Sequence, residues 1–259
     1  MQWVYTLPLW VATVVFIGGC CLLSAAGMYF VRHRYGNGEI THNDVAGPIM
    51  TTVGTVLAVL LTFMVVTVWQ EYDAAAQGAA SEAAEVADLY HESYALQDGF
   101  GTMLRAQILK YANLVVHDEW PLMKDGTYSR DADHLAVDIV DEVQLYQPKT
   151  MGEQNTQADA LTHVHNFLDA RRNRLFNNSE SVPGLVWTMM IFVSAITIGF
   201  AYFFRVANRR MHFLMIMALG AVVGATFLMI AELDLPFRGP LQIQASGFVH
   251  DIHALPQQH

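Results

Sequence analysis

Residues 45–69 read VAGPIMTTVGTVLAVLLTFMVVTVW and contain no charged side chain. An α-helix rises about 1.5 Å per residue, so a helix of this length crosses the roughly 30 Å hydrocarbon core of a membrane. A long helix in a soluble protein normally exposes a charged or strongly polar face to water. The stretch therefore predicts a transmembrane helix.

Three further stretches show the same pattern. Residues 7–31, 184–204 and 211–231 contain no Asp, Glu, Lys or Arg. The first of them is too long for the apolar part of a signal peptide and follows no positive charge, so we expect it to remain in the protein. Charged residues make up 15% of the chain, whereas about 25% is typical of soluble domains. We predict an all-α integral membrane protein whose four transmembrane helices form two hairpins.

A polar insert separates the two hairpins. It contains 19 Asp and Glu but 8 Lys and Arg, so it holds essentially all of the chain's excess negative charge. Its apolar residues recur at helical spacing, which predicts an acidic helical extramembrane domain. The expected organisation is a first hairpin over 1–69, the insert over 70–183, a second hairpin over 184–231 and a C-terminal tail over 232–259.

Four helices are expected in the insert. They are a continuation of the second span to about residue 97, a helix ending near 120–121, a helix over about 130–146, and a helix from about 152 that can run into the third span despite Pro183. The sequence DGFG at 98–101 is expected to end the first of these, because glycine is a poor helix former.

The arginines near the span ends bear on orientation, because Lys and Arg in short loops tend to stay on the cytoplasmic side. The short links within the two hairpins carry five arginines, and the opposite span ends carry four. This count favours an insert on the periplasmic side of a bacterial inner (cytoplasmic) membrane. The five link arginines are Arg32, Arg34, Arg205, Arg209 and Arg210.

We predict no enzymatic activity and no cofactor. The sequence lacks G-x-x-x-x-G-K-[ST], H-E-x-x-H, C-x-x-C and G-x-S-x-G, and no nucleophile with an adjacent base can be named. A net charge of −10 and the lack of a basic cluster exclude a nucleic-acid partner. Among the eleven histidines, His163 and His165 are two residues apart, so on a helix they point to different faces and do not form a shared metal site.

The second span carries a stripe of hydroxyl and small side chains. Its members recur at intervals of four, three and four residues, so they share one face of a helix. In an oligomer such a stripe can line a water-filled pore; taken alone, it is more commonly a surface on which membrane helices pack closely. The candidate pore-lining residues are Thr51, Thr55, Ala58 and Thr62.

Three residues at the end of this span and just beyond it would lie at the mouth of such a pore: Trp69, Glu71 and Asp73. Rings of carboxylates at a pore mouth attract cations. No charge lies at the centre of any span, whereas ion-coupled carriers normally keep an intramembrane Asp, Glu or His. The pattern favours a passive pore or a protein that does not transport.

A short motif follows the fourth span. It contains two carboxylates and a Pro-Phe turn, and hard oxygen ligands of this kind attract a cation, so a bound cation near Glu232 or Asp234 is one interpretation. The other is a helix end whose acids stay at the membrane interface and pair with Arg238. The motif comprises Glu232, Asp234, Pro236, Phe237 and Gly239.

Four groups of short stretches carry a family resemblance. They are VGTVLAVLL (53–61) with WQEY (69–72), Glu82-Ala83 and Leu89-Tyr90; Tyr111 with EWPLM (119–123) and Gly126; RRNRL (171–175) with Pro183 and LVW (185–187); and DLPFRG (234–239). In this order, over about residues 45 to 245, the chain resembles the bestrophin-like domain family of bacterial membrane proteins.

The resemblance implies a layout similar to that of bestrophins. Bestrophins are oligomeric anion channels with four membrane segments per subunit and a large helical domain, facing the cytosol, between segments two and three. Their Pro-Phe-Gly tract precedes an acidic calcium-binding run, whereas residues 240–244 here are PLQIQ. The resemblance therefore implies a cytosolic insert, against the arginine count, and no calcium switch of the bestrophin kind.

Two hypotheses follow. In the first, the protein is an oligomeric membrane ion channel that prefers cations and whose pore is lined by the second transmembrane helix; its partners are the lipid bilayer, further copies of itself and inorganic ions. In the second, it is a non-conducting, membrane-anchored sensor or scaffold whose acidic helical domain binds a partner. The first predicts a wet axis between subunits, and the second predicts a dry contact or a monomer.

Overall fold

The computed structural model describes residues 8–35, 43–204 and 208–254, and the regular structure of these residues is helical throughout, as predicted. The α-helices are α1 (Leu9–Thr13), α2 (Gly19–Tyr35), α3 (Asn43–Glu92), α4 (Asp98–Leu114), α5 (Trp120–Met123), α6 (Arg130–Leu145), α7 (Met151–Ser179), α8 (Gly184–Ala201), α9 (Arg209–Leu233) and α10 (Ser246–Ala254). The π-helical turn Val14–Gly18 continues α1 into α2, Val115–Glu119 continues α4 into α5, and the 3-10 turn Ser93–Ala95 follows α3.

Among the described residues, four helices are long and apolar enough to cross a membrane, which confirms the four predicted spans. They are Leu9–Arg34, Ala46–Ala95, Gly184–Ala201 and Arg209–Leu233, with mean hydropathy between 1.9 and 2.4. Only 11% to 33% of the residues in their most apolar windows are buried within the chain. Most of their apolar surface is therefore left for lipid or for other subunits.

The chain folds as two compact units. Met1–Gln70 and Ser181–Asp234 form the membrane unit, whereas Glu71–Glu180 and Leu235–His259 form the helical unit. The long helix α3 contributes residues to both units. The tail after Asp234 belongs to the same unit as the insert.

In the membrane unit, two glycines let α9 approach the N-terminal helix closely. A Cβ atom at Gly220 would lie 2.5 Å from the hydroxyl oxygen of Ser24, and one at Gly224 would lie 2.7 Å from the carbonyl oxygen of Phe16. Cβ atoms do not tolerate contacts this short, so a larger residue would push the helices apart. Small residues commonly serve this purpose in membrane helices.

In the helical unit, the apolar faces of α3, α4, α6 and α7 form one core together with residues of the tail. Trp120 joins the tail to this core. Its ring contacts Phe237 edge to face at a centroid distance of 5.8 Å, and its indole N–H donates to the carbonyl oxygen of Ile243 at 3.0 Å. The tail is thus fixed by an aromatic contact and a buried hydrogen bond.

The predicted break after α3 is misplaced by a few residues. The backbone becomes extended at Leu96, so the sequence DGFG at 98–101 begins α4 instead of ending a helix. A Cβ atom at position 101 would collide with the carbonyl oxygen of Ser93. Gly101 therefore serves the close approach of α4 to the preceding turn, and the sequence pattern alone gave it the wrong role.

The expectation that the fourth insert helix runs into the third span is wrong. That helix, α7, ends at Ser179, and α8 begins at Gly184. Proline has no N–H and disfavours helical backbone in the residue before it, so Pro183 separates the two helices. Helix α10 lies in the tail, where no helix was predicted, and Arg205, which entered the arginine count, lies outside the described residues.

Candidate functional site

The predicted pore-lining residues lie on the surface of the folded chain. All four have exposed side chains: Thr51, Thr55, Ala58 and Thr62. The hydroxyl of Thr51 donates to the carbonyl oxygen of Gly47 at 3.1 Å, and that of Thr55 donates to the carbonyl oxygen of Thr51 at 2.8 Å. The donors are thus used within α3, while the hydroxyl oxygens present uncharged acceptors on the outside of the helix.

The membrane part of α3 has three distinct faces. Successive residues of a helix turn by about 100°, so Leu57, Leu61 and Val68, which are buried, share one face. The hydroxyl stripe is rotated by about 110° from this face. Val59 and Phe63, which are exposed, form an apolar face that is rotated by about a further 90° from the stripe. The stripe therefore does not pack inside the chain. In the membrane it must face lipid, water or another protein surface.

The structure separates the two acids of the predicted pore mouth. Glu71 and Asp73 are both exposed, as is Trp69. Because Glu71 and Asp73 are two residues apart on α3, they point about 200° from one another. Glu71 lies on the side of Glu180, whereas the Asp73 carboxylate accepts a hydrogen bond from Gln77 at 2.6 Å. Only one of these acids can face a common axis at a time.

The two carboxylates of the motif have different environments, and the predicted end of the fourth span at residue 231 is too early: Glu232 lies in the last turn of α9, and Asp234 follows the helix. Asp234 accepts a hydrogen bond from the backbone N–H of Val182 at 2.6 Å, and so orders the connection that enters α8. Glu232 is 2% exposed, and neither of its carboxylate oxygens has a hydrogen-bond partner among the described residues. Of the two acids, Glu232 keeps the oxygens available for a cation, and the cation site stays a prediction.

The remaining residues of the post-span motif support the tail. Phe237 is buried against Trp120, and the carbonyl oxygen of Pro236 accepts from the backbone N–H of Ile243 at 2.8 Å. Gly239 has a φ of 76°, a conformation in which a Cβ atom is unfavourable. In the helical unit, these residues have a structural role.

Five residues quoted for the family resemblance come together in a buried charge network. It consists of Glu82, Tyr111, Glu119, Arg171 and Arg174, each at most 2% exposed. Arg174 donates from Nε and Nη2 to the two carboxylate oxygens of Glu82 at 2.6 and 2.9 Å. Nη1 of Arg171 donates to both carboxylate oxygens of Glu119 at 2.7 and 2.9 Å. The two ion pairs join α3 and the π-turn after α4 to α7.

Tyr111 and a cross-contact connect the two ion pairs. The Tyr111 hydroxyl donates to Glu82 at 2.6 Å and accepts from Arg171 at 3.2 Å, while Nη1 of Arg174 lies 3.5 Å from Glu119. Burial and the negative charge of Glu82 raise the pKa of Tyr111 well above its usual value, so the hydroxyl keeps its proton. The five residues carry two positive and two negative charges, and the half-exposed Asp133 lies 3.6 Å from Nη2 of Arg171 at the edge of the network.

Arg174 keeps its charge although it is completely buried. Burial alone lowers the pKa of a guanidinium, but the Glu82 carboxylate outweighs this and raises the pKa of Arg174 above its usual value. Two further contacts surround the guanidinium. The Arg174 guanidinium carbon lies 5.0 Å from the centre of the Trp120 ring, and its Nη1 contacts the Met123 sulfur at 2.9 Å.

Sequence reasoning found the members of this network but assigned them no common site. A signal was present in α7: Val164 and Phe167 are buried, and Arg171 and Arg174 continue the same face at helical spacing. Arginines that extend an apolar face indicate buried ion pairs. Their partners lie 92 and 52 residues away along the chain, so periodicity could not identify them.

Comparisons with known proteins agree with this architecture. Residues 18–248 match the family model described as Bestrophin-like domain, while no curated protein sequence matches the chain. A crystal structure of a mutant bacterial bestrophin homologue from Klebsiella pneumoniae is similar, with a TM-score of 0.69, 11% sequence identity, and 95% of this chain and 99% of that chain covered.

Two further solved structures have the same fold. One is a membrane protein with a TM-score of 0.70 and 10% identity, covering 95% of this chain and 97% of that chain. The other is a second mutant of the Klebsiella pneumoniae bestrophin homologue, with a TM-score of 0.68 and 8% identity, covering 96% and 99%. Identities this low establish the shared fold alone. The family match covers most of the chain, and this protein therefore belongs to the Bestrophin-like domain family.

Proposed function

We propose that this protein is a subunit of an oligomeric ion channel in a bacterial inner membrane, with a pore lined by α3. One observation carries the proposal: the uncharged stripe, which gathers three threonines on one face of the largely apolar membrane part of α3, is exposed instead of packed inside the chain. The similarity to bestrophin homologues supports the same function.

The three faces of α3 match the needs of a pore-lining helix in a ring of subunits. Such a helix presents one face to its own subunit, one to a neighbour or lipid, and one to water. The buried face contains Leu57 and Leu61 and packs against the same chain. The exposed apolar face contains Val59 and Phe63 and suits a neighbour or lipid, and the stripe suits water. Within the membrane unit, close contact between helices is already made by Gly220 and Gly224 instead of by the stripe.

The stripe would line a pore without fixed charge. Charged residues at the end of the pore would therefore set the ion preference. Asp73 follows Thr62 by eleven residues, which returns it to the same helix face. Several copies of Asp73 around one axis would form a carboxylate ring, and such rings favour cations. We infer a cation-preferring channel, in contrast to the anion preference of bestrophins. Glu71, on the other side of α3, does not contribute to this ring.

Planar-bilayer recording of the purified full chain tests the lining. Thr55→Leu should remove most of the conductance, because an apolar constriction expels water from a narrow pore. Thr52→Leu is the matched control, since Thr52 is also exposed and also donates to the carbonyl four residues earlier, but lies off the stripe. Equal effects of the two substitutions would refute the pore assignment.

Reversal potentials in a salt gradient test the ion preference. Asp73→Asn should lower the preference for cations, whereas Glu71→Gln should leave it unchanged because Glu71 lies on another side of the helix. An anion preference in the unmodified protein would contradict the carboxylate ring. Absence of conductance in every common salt would end the channel proposal and leave the membrane-anchored sensor or scaffold.

A further inference from the structure

A cluster of metal-ligating side chains lies in the helical unit, apart from the stripe and from the buried charge network. Glu85 and Asp88 lie one turn apart on α3, and His163 lies opposite them on α7. We propose that these three residues bind a divalent transition-metal ion such as Zn²⁺. The proposal does not depend on whether the protein conducts ions.

The distances suit a single ion. One ligand atom from each residue can be chosen so that all three lie within 4.8 Å of one another, and Nδ1 of His163 is 2.8 Å from a carboxylate oxygen of Glu85. Ligands about 2.1 Å from a tetrahedral zinc ion are about 3.4 Å apart. The His163–Glu85 separation is shorter than this value, and the other separations are at most 4.8 Å. Asp88 is exposed, so its side chain can turn to complete the set without moving the backbone.

A fourth residue orients one of the ligands. The side-chain amide of Asn166 donates to the second carboxylate oxygen of Glu85 at 3.2 Å. This leaves the oxygen near His163 as the one that faces the cluster. Hydrogen bonds from outer residues commonly fix metal-ligating carboxylates in this way. Asn166 lies one turn from His163 on α7, so both helices hold the arrangement from rigid backbone.

The charge of the cluster is unbalanced, which distinguishes it from the network one turn away. Glu82 in that network is paired with an arginine. Among the described residues, Glu85 has only His163 as an ion-pair partner, and Asp88 has none. Two carboxylates beside one imidazole provide the charge that a divalent cation would neutralise. An imidazole nitrogen with carboxylate oxygens favours zinc or a neighbouring transition metal over calcium or magnesium.

The test measures Zn²⁺ binding to the full chain in detergent after metal is removed with a chelator. A chromogenic chelator in competition gives the affinity and the number of bound ions. His163→Gln should weaken this site at least about tenfold or lower the stoichiometry by one, because a ligand is lost. His165→Gln is the matched control, since this exposed histidine lies two residues away on another face of α7.

A second substitution covers the case in which His163→Gln fails to fold. Asp88→Asn changes an exposed side chain and should weaken Zn²⁺ binding in the same way, whereas Asp141→Asn on α6 should not. Zn²⁺ should also raise the thermal unfolding midpoint of the unmodified protein and of His165→Gln, but not of Asp88→Asn. The proposal is overturned if the unmodified protein binds no Zn²⁺ below about 100 µM, or if Asp88→Asn binds Zn²⁺ as the unmodified protein does.

Discussion

Arg174→Met is expected to destabilise the protein strongly. The guanidinium of Arg174 donates two charge-assisted hydrogen bonds to Glu82, and both side chains are fully buried. Methionine fills much of the same space but leaves the Glu82 carboxylate buried, with the Tyr111 hydroxyl still donating to it. Removing one partner of a buried ion pair costs about 3–5 kcal/mol, because the other charge loses its compensation.

Arg172→Met provides the matched control. Arg172 lies two residues earlier on α7 and pairs with Asp169 at 3.2 Å, but the two side chains are 73% and 71% exposed. An exposed ion pair of this kind contributes at most about 1 kcal/mol, because water screens it and solvates either charge after the other is lost. Comparing the same substitution at the two positions on α7 thus distinguishes the effect of burial from the effect of losing an arginine.

Thermal unfolding of the purified full chain in detergent distinguishes the two outcomes. For a chain of this size, 1 kcal/mol shifts the midpoint by about 2–4 °C, so Arg174→Met should lower it by about 6–20 °C and Arg172→Met by less than about 4 °C. Adding Glu82→Gln to Arg174→Met should recover at least about 1 kcal/mol, since it neutralises the stranded charge. Similar shifts for the two arginines, or strictly additive losses in the double variant, would refute the reasoning.

Two further predictions concern other contacts. Gly224→Val should lower the thermal midpoint by the equivalent of about 1–3 kcal/mol, because its side chain has no room beside the N-terminal helix. Gly199→Val, where a Cβ atom meets nothing within 4 Å, should not, and equal losses would contradict the close approach. Hydrogen bonds from the Lys149 backbone N–H and the Tyr146 hydroxyl lower the pKa of Glu153. The stability that Glu153 adds relative to Glu153→Gln should therefore be complete above about pH 5 and decline as pH falls below about 4; a constant difference across this range would contradict it.

The four spans could be predicted from the sequence because a membrane imposes a strict rule. A helix in hydrocarbon must satisfy its backbone internally and carry apolar side chains for about 20 residues. Each uncharged run met this condition, and each corresponds to a helix of the structure. The helices of the insert were also predictable from periodicity, and α6 differs from its predicted range by a single residue at its end.

The charged clusters of the helical unit could not be predicted from the sequence. Glu82 and Glu85 lie in an alanine-rich helix, where glutamate is also common on solvated surfaces. Only the three-dimensional structure shows that Glu82 meets Arg174 and that Glu85 meets His163. Comparing His163 with His165 correctly separated two faces of α7. It did not point to the proposed metal site, because Glu85 lies on α3, 78 residues away from His163 along the chain.

The distribution of the family-like residues bears on ion preference. Glu82 and Arg174 are buried and neutralise each other, the uncharged Tyr111 hydroxyl donates to Glu82, and Phe237 holds the tail. These residues stabilise the helical unit and present no charge to a permeating ion. The likeness to bestrophins at these positions therefore reflects a shared fold and carries no information about selectivity. In the proposed channel, selectivity would depend on exposed residues of α3, where a ring of Asp73 carboxylates would favour cations. A cation preference in this protein is thus compatible with membership of a family named after anion channels.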